Sequence, residues 1–249
     1  MITVDDLWQT GFHKRTDFMT TQWSVVLEAA EASPESRTAL ESLCRAYWYP
    51  LFAYSRRRGA SIDEAQDAVQ QFFAQLLERD TLTVADPNRG RFRSFLLTAF
   101  RNSLTNDHKK RNARKRCAEA FPVRIDGRDA DAKLAHEPFH DVTPERLYRQ
   151  LWAITLLNHV MSRLREEYTR RGQEKQFDCL KKLLAGRSTE TSYDEVGREL
   201  DISAAATMTA VSRMRRRYRE LLRLEISRTV SGADEVEDEI HELFDSLSL

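Results

Sequence analysis

The chain has 249 residues, enough for one large or two small domains, and its 39 basic and 39 acidic side chains cancel. The cancellation hides a segregation: nine basic residues stand against Asp107 alone between Arg91 and Arg116, while residues 231–249 hold seven acids and no Lys or Arg. Few turn formers, three scattered cysteines (Cys44, Cys117, Cys179) and no run of roughly 18 apolar residues exclude a disulfide framework, a zinc spacing and a membrane span.

In chain order, helical periodicity starts near Trp23 and resumes after Ser33-Pro34, with Gly59 as the expected C-cap. Trp48 and Tyr49 in this segment read as core residues. Ser61 then opens a helix with acids in its first turn. Its apolar stripe is Ile62, Ala65, Val69, Phe72, Phe73, Leu76 and Leu77, and Asp63, Glu64, Asp67, Gln70 and Gln71 lie off it. "TLTVADPNRGR" breaks the pattern as a loop. Helix returns with Phe92, Phe95, Leu96, Ala99 and Phe100 inward, and Arg101, Asn102, Thr105, Asn106, His108, Lys109 and Arg111 on or after the outward side.

Residues 117–142 lose periodicity and collect Pro, Gly, Asp and His, as a linker between two domains would. Thr143-Pro144 reads as an N-cap followed by proline at the first helical position, and a long amphipathic helix should run to Gly172. Two short helices follow in "QFDCLKKLLAG" and "SYDEVGREL". The expected fold is all-α: two small helical domains at 1–116 and 143–230, the linker between them, and an acidic C-terminal helix at 231–249.

"TSYDEVGRELDISAAATMTAVSRMRRRYRELL" has the layout of a helix-turn-helix, with Ile202 as the expected buried turn residue and Ser203 as N-cap. Helical spacing turns Thr207, Met208, Val211, Met214, Tyr218, Leu221 and Leu222 inward. The other face carries Ala205, Thr209, Ser212, Arg213, Arg216, Arg219 and Arg223. Small side chains followed by arginines suit a helix that approaches base edges and then phosphates. Arg215 and Arg217 fall on the flanks.

Residues 61–116 resemble the second conserved region of the sigma-70 family of RNA polymerase sigma factors, in particular the extracytoplasmic-function (ECF) group. "DEAQDAVQQFFAQLLER" looks like its polymerase-docking helix, and "GRFRSFLLTAFRNSLTNDHKKRNARKR" is similar to the helix that opens and reads the −10 element. Further segments, such as "CRAYWYPLFAYSRRRG" and "TPERLYRQLWAITLLNHVMSRL", extend the resemblance over nearly the whole chain. It implies that Asp63, Asp67, Gln70 and Gln71 meet core RNA polymerase. It also implies that Asp86, Asn88, Arg89, Arg101, Asn102, Thr105, Asn106, Lys109 and Arg111 meet −10 promoter DNA. Ala205, Thr209, Ser212, Arg213 and Arg216 would enter the −35 major groove, with the 117–142 linker spanning the distance between the two contacts.

The expected function is therefore promoter recognition and transcription initiation by a cytoplasmic, non-enzymatic DNA-binding subunit without metal or cofactor. An anti-sigma or other regulatory protein is a further partner that the resemblance leaves room for; no membrane contact is expected. Two other readings fit parts of the sequence: a stand-alone helix-turn-helix regulator, and a helical adaptor whose basic faces bind acidic protein. The acidic tail keeps Val236, Ile240, Leu243, Phe244 and Leu247 at helical spacing. It is expected to cap the second domain, or to fold over the arginine face and weaken DNA binding.

Overall fold

A computed structural model describes residues 34–78, 91–107, 127–136, 142–184, 192–227, 229–230, 232 and 234–247. All regular structure among the described residues is helical: α1 Pro34–Arg57, α2 Ile62–Glu78, α3 Phe92–Asp107, α4 Gly127–His136, α5 Pro144–Arg170, α6 Glu174–Leu180, α7 Tyr193–Leu200, α8 Ala204–Ser227 and α9 Glu235–Leu247. A 3₁₀ turn, Lys181–Leu183, extends α6. None of these helices is long and apolar enough to cross a membrane.

Local chemistry explains most helix ends. At the start of α2 the Glu64 N–H donates to Ser61 Oγ at 3.2 Å, and the Ser61 N–H donates to Glu64 Oε2 at 2.9 Å, a reciprocal capping box. Thr143 caps α5 by accepting from the Arg146 N–H at 3.3 Å, with Pro144 next in line. Gly59 and Gly172 close α1 and α5 at φ of 94° and 68°, where a side chain would be strained.

Contacts divide the described residues into two compact units, 156–225 and 34–155 with 226–247. These divisions fall inside α5 and α8. The unit holding the N-terminal half is built on an aromatic core. Trp48 stacks on Phe52 with centroids 5.0 Å apart, and Phe100 meets Tyr54 and Phe72 edge-on at 6.2 and 5.1 Å. Trp48 and Tyr49 are buried, as their spacing suggested.

Part of the stretch read as linker is helical. α4 packs against α1 and α2, buries Ala130, and is tied down by an Arg56 Nε–Asp131 Oδ1 pair at 2.5 Å. Ten residues with Ala130 and Leu134 as the inward pair give too short an apolar pattern for periodicity to register.

In the other unit α5 and α8 are joined through a buried carboxylate: Glu225 is fully buried and pairs with Arg163, with His159 Nε2 3.9 Å away. Tyr168 meets Phe177 of α6 edge-on at 5.7 Å, and α6 packs on α7.

Candidate nucleic-acid interface

The helix-turn-helix is assembled from α7, a three-residue turn and α8. Ser192 and Glu195 form a capping box at the start of α7, with N···O distances of 2.8 and 3.1 Å. The helix ends on Asp201 in the left-handed region, φ 56° and ψ 43°. This conformation lets the Ile202 N–H reach back to the Gly197 carbonyl at 2.9 Å, so the chain reverses in three residues. Ser203 then caps α8, accepting from the Ala206 N–H at 3.2 Å.

Gly197 sets how closely α7 and α8 approach. A Cβ there would stand 2.7 Å from the Ile202 carbonyl oxygen and 3.0 Å from Thr207 Oγ1. The oxygen belongs to backbone and cannot swing away. Gly197→Ala should therefore destabilise this unit by about 1–3 kcal/mol through overpacking; urea unfolding followed by far-UV circular dichroism measures it. An unchanged midpoint would mean that the turn relaxes freely.

The sequence reading missed Gly197, since its role depends on a neighbour five positions away in the turn. Two apolar residues also differ from expectation. Ile202 is 36% exposed and Met208 is 56% exposed, although the helix-turn-helix layout expects the first to be buried and helical spacing turns the second inward. The inner face of α8 is centred on Thr207, Val211, Met214, Leu221 and Leu222, all buried. Met208 lies roughly 90° around the helix from that centre, at the margin of the apolar stripe.

Ala205, Thr209, Ser212, Arg213 and Arg216 are all exposed on α8, where the sequence placed them. The Thr209 hydroxyl donates to the Ala205 carbonyl at 3.0 Å, leaving its methyl and an acceptor lone pair outward. Arg216 makes a long i,i+4 contact to Glu220 at 3.7 Å, across open surface that costs little to leave.

The flanking arginines are engaged in the fold. Arg215 donates through Nη2 to the Leu183 carbonyl at 2.6 Å and through Nε to the Leu184 carbonyl at 3.3 Å, closing the 3₁₀ turn. Arg217 forks onto Glu167 at 2.7 and 2.9 Å and reaches Glu220 at 3.0 Å. The Arg217 hydrogen bonds hold the Glu167 carboxyl below the usual carboxylate range.

On α2, Asp63 and Asp67 are exposed, and Gln70 and Gln71 are half-buried along the same face; buried Ala74 closes that face one turn further on. On α3, Arg101, Asn102 and Thr105 are exposed, and the Thr105 hydroxyl donates to the Arg101 carbonyl at 3.0 Å. Asp86, Asn88, Arg89, Lys109 and Arg111, and the side chain of Asn106, lie outside the described residues.

The opening of α3 carries a cluster that the sequence reading did not assemble. Arg93 Nη2 donates to Glu239 Oε2 and to Glu242 Oε2 at 2.8 Å each. Arg91 Nε meets Glu239 Oε2 at 2.5 Å, and Arg91 Nη1 pairs with Glu242. The Arg93 guanidinium also lies over the Trp152 ring, 4.6 Å from its centroid, and its backbone carbonyl accepts from the Tyr148 hydroxyl at 3.0 Å. Arg93 is 5% exposed and Glu239 1%. Burial pushes the Glu239 carboxyl up, against the pull of Arg93 and Arg91.

The tail meets partners that the sequence reading did not name. Buried Glu239 and half-exposed Glu242 of α9 sit on arginines that open α3, in the first domain of the sequence reading, with Trp152 of the second against Arg93. Periodicity identifies the apolar face of a helix but says nothing of which neighbour covers it. One signal was available: Glu239 stands three residues after Val236 and four before Leu243, on the apolar stripe itself.

No protein-family model, curated protein or solved structure matches the chain. Among the described residues no cluster of His, Cys, Asp or Glu is arranged to hold a metal ion.

Proposed function

We propose that the chain is a promoter-specificity subunit of the ECF sigma type, which joins core RNA polymerase and directs it to −10 and −35 elements. The observation that carries this reading is the exposed face of α8. Ala205, Thr209 and Ser212 form a small polar front that lets backbone approach base edges, and Arg213 and Arg216 stand behind it. Met208, exposed and one turn from both Ala205 and Ser212, adds an apolar contact suited to a thymine methyl. The sequence resemblance of α2 and α3 to the polymerase-docking and −10 segments supplies the rest.

In this mechanism the α2 face of Asp63, Asp67, Gln70 and Gln71 docks on the polymerase. The exposed polar side of α3 and the residues around it engage the opened −10 strand, and α8 grips −35 duplex. Each contact is a hydrogen-bonding or cationic surface, with no bond made or broken by the chain itself.

In vitro transcription with purified core polymerase tests the proposal. Promoter-dependent initiation from a template selected by binding is the expected result. Duplex binding without any initiation would favour the stand-alone helix-turn-helix regulator. Asp67→Ala combined with Gln71→Ala should weaken polymerase binding by roughly tenfold, the scale of a central interface contact, and leave duplex affinity unchanged. Surface plasmon resonance on immobilised core enzyme reads the first quantity.

A further inference from the structure

An acid-rich segment without Lys or Arg is docked on the start of a base-rich segment with a single acid. Residues 231–249 carry seven acids and residues 91–116 carry nine bases. The contact between them is specific: two carboxylates of α9, Glu239 and Glu242, hold Arg91 and Arg93.

The four groups differ in how firmly they are held. Glu239 and Arg93 are both buried, and Trp152 backs the arginine. Such a pair cannot be exchanged without opening the core. Glu242 is 51% exposed, and Arg91 keeps its Nε on buried Glu239 while its Nη1 pairs with Glu242. At Nη1, on the water-facing side of Glu242, a competing anion can replace that carboxylate at little cost while the Nε contact stays.

We infer that α9 is an internal competitor for nucleic acid: its Glu242 occupies the outer donor of Arg91, and a backbone phosphate takes the place of Glu242 when single-stranded DNA reaches the opening of α3. The inner Glu239–Arg93 pair anchors the helix, and the outer carboxylate sets how easily that donor is given up. The side chain has the right chemistry, because a guanidinium binds carboxylate and phosphate through the same donor fork. The effect is a threshold on non-specific binding that a correctly placed strand must overcome. This inference rests on the nucleic-acid reading of the α3 segment and deepens it.

The test uses the full chain and a fluorescein-labelled dT20 strand, read by anisotropy from low to moderate salt. Glu242→Gln keeps the shape and removes the charge. It should tighten dT20 binding about three- to tenfold at low salt and steepen the salt dependence by about 0.7, the slope of one more phosphate contact on a single strand. Arg91→Ala combined with Glu242→Gln should lose that gain. Asp245→Asn, which removes an exposed charge of the same helix, controls for long-range charge and should change affinity much less.

Three results would each overturn the inference: Glu242→Gln binding as the parent does, Asp245→Asn matching its gain, or the double variant retaining it. Thermal melting of Glu242→Gln checks its fold; should it not fold, Glu242→Ala takes its place with the same criteria. No polymerase enters the assay. Failure in transcription would therefore leave the dT20 result standing, and an unchanged dT20 affinity would leave the transcription test untouched.

Discussion

Arg93→Ala should lower the stability of the unit containing α1–α4 and α9 by about 3–5 kcal/mol, the cost of breaking a buried ion pair. The substitution leaves Glu239 inside the protein with Arg91 alone to answer its charge, and it removes the cation from the Trp152 ring. Urea unfolding followed by tryptophan fluorescence measures this in a background with Trp8 and Trp23, which lie outside the described residues, replaced by Phe. Trp48 and Trp152 are buried in this unit, and residues 156–225 contain no tryptophan.

The reverse experiment is more informative than the loss. The buried Arg93 Nε has no hydrogen-bond partner among the described residues, so the cluster does not satisfy all its own donors. Replacing Arg93 by Met together with Glu239→Leu should then cost far less than either change alone, by the rule that apolar pairs of similar volume substitute well for buried ions. A double variant as unstable as Arg93→Ala would show that the charges themselves, with Glu242 and Arg91, hold α9 in place.

Arg213→Ala with Arg216→Ala should reduce affinity for a selected duplex by roughly five- to 150-fold for each arginine that makes a bidentate guanine contact, at about 1–3 kcal/mol apiece. Binding to a scrambled duplex should fall much less, so the specificity ratio collapses. Arg217→Ala gives the contrasting outcome. Its guanidinium is committed to Glu167 and Glu220, so its loss should lower the melting temperature and leave base preference intact. If Arg217→Ala relaxes sequence preference as far as the double variant does, the division of the arginines into a DNA face and a structural flank is wrong.

The exposed face of α8 was largely readable in the sequence, and the reason is local. Capping by Ser61, Thr143 and Ser203, the closures at Gly59 and Gly172, and the exposed face of α8 all depend on residues within four or five positions. Helical spacing alone decides them. What escaped depends on neighbours that the spacing cannot see. Met208 lies at the margin of a stripe, where a small rotation of the helix decides exposure. Gly197 matters because a carbonyl of the following turn crosses it at short range. α4 is helical because α1 and α2 cover its Ala130 side, and its own ten residues give little hint of that. Glu239 looked like one more solvated acid until two arginines from a distant segment came to meet it.

The distance between those partners has a consequence for how the protein is made. Arg93 and Glu239 are 146 residues apart. At 5–20 residues per second, a ribosome needs roughly 7–30 s to pass from one to the other. During that interval the emerging N-terminal half has its aromatic core but not the carboxylate that settles Arg93 inside it. Its final packing waits for the last helix to emerge, so a ribosome stalled anywhere before residue 239 would present an unfinished N-terminal half, however long it had been out of the exit tunnel.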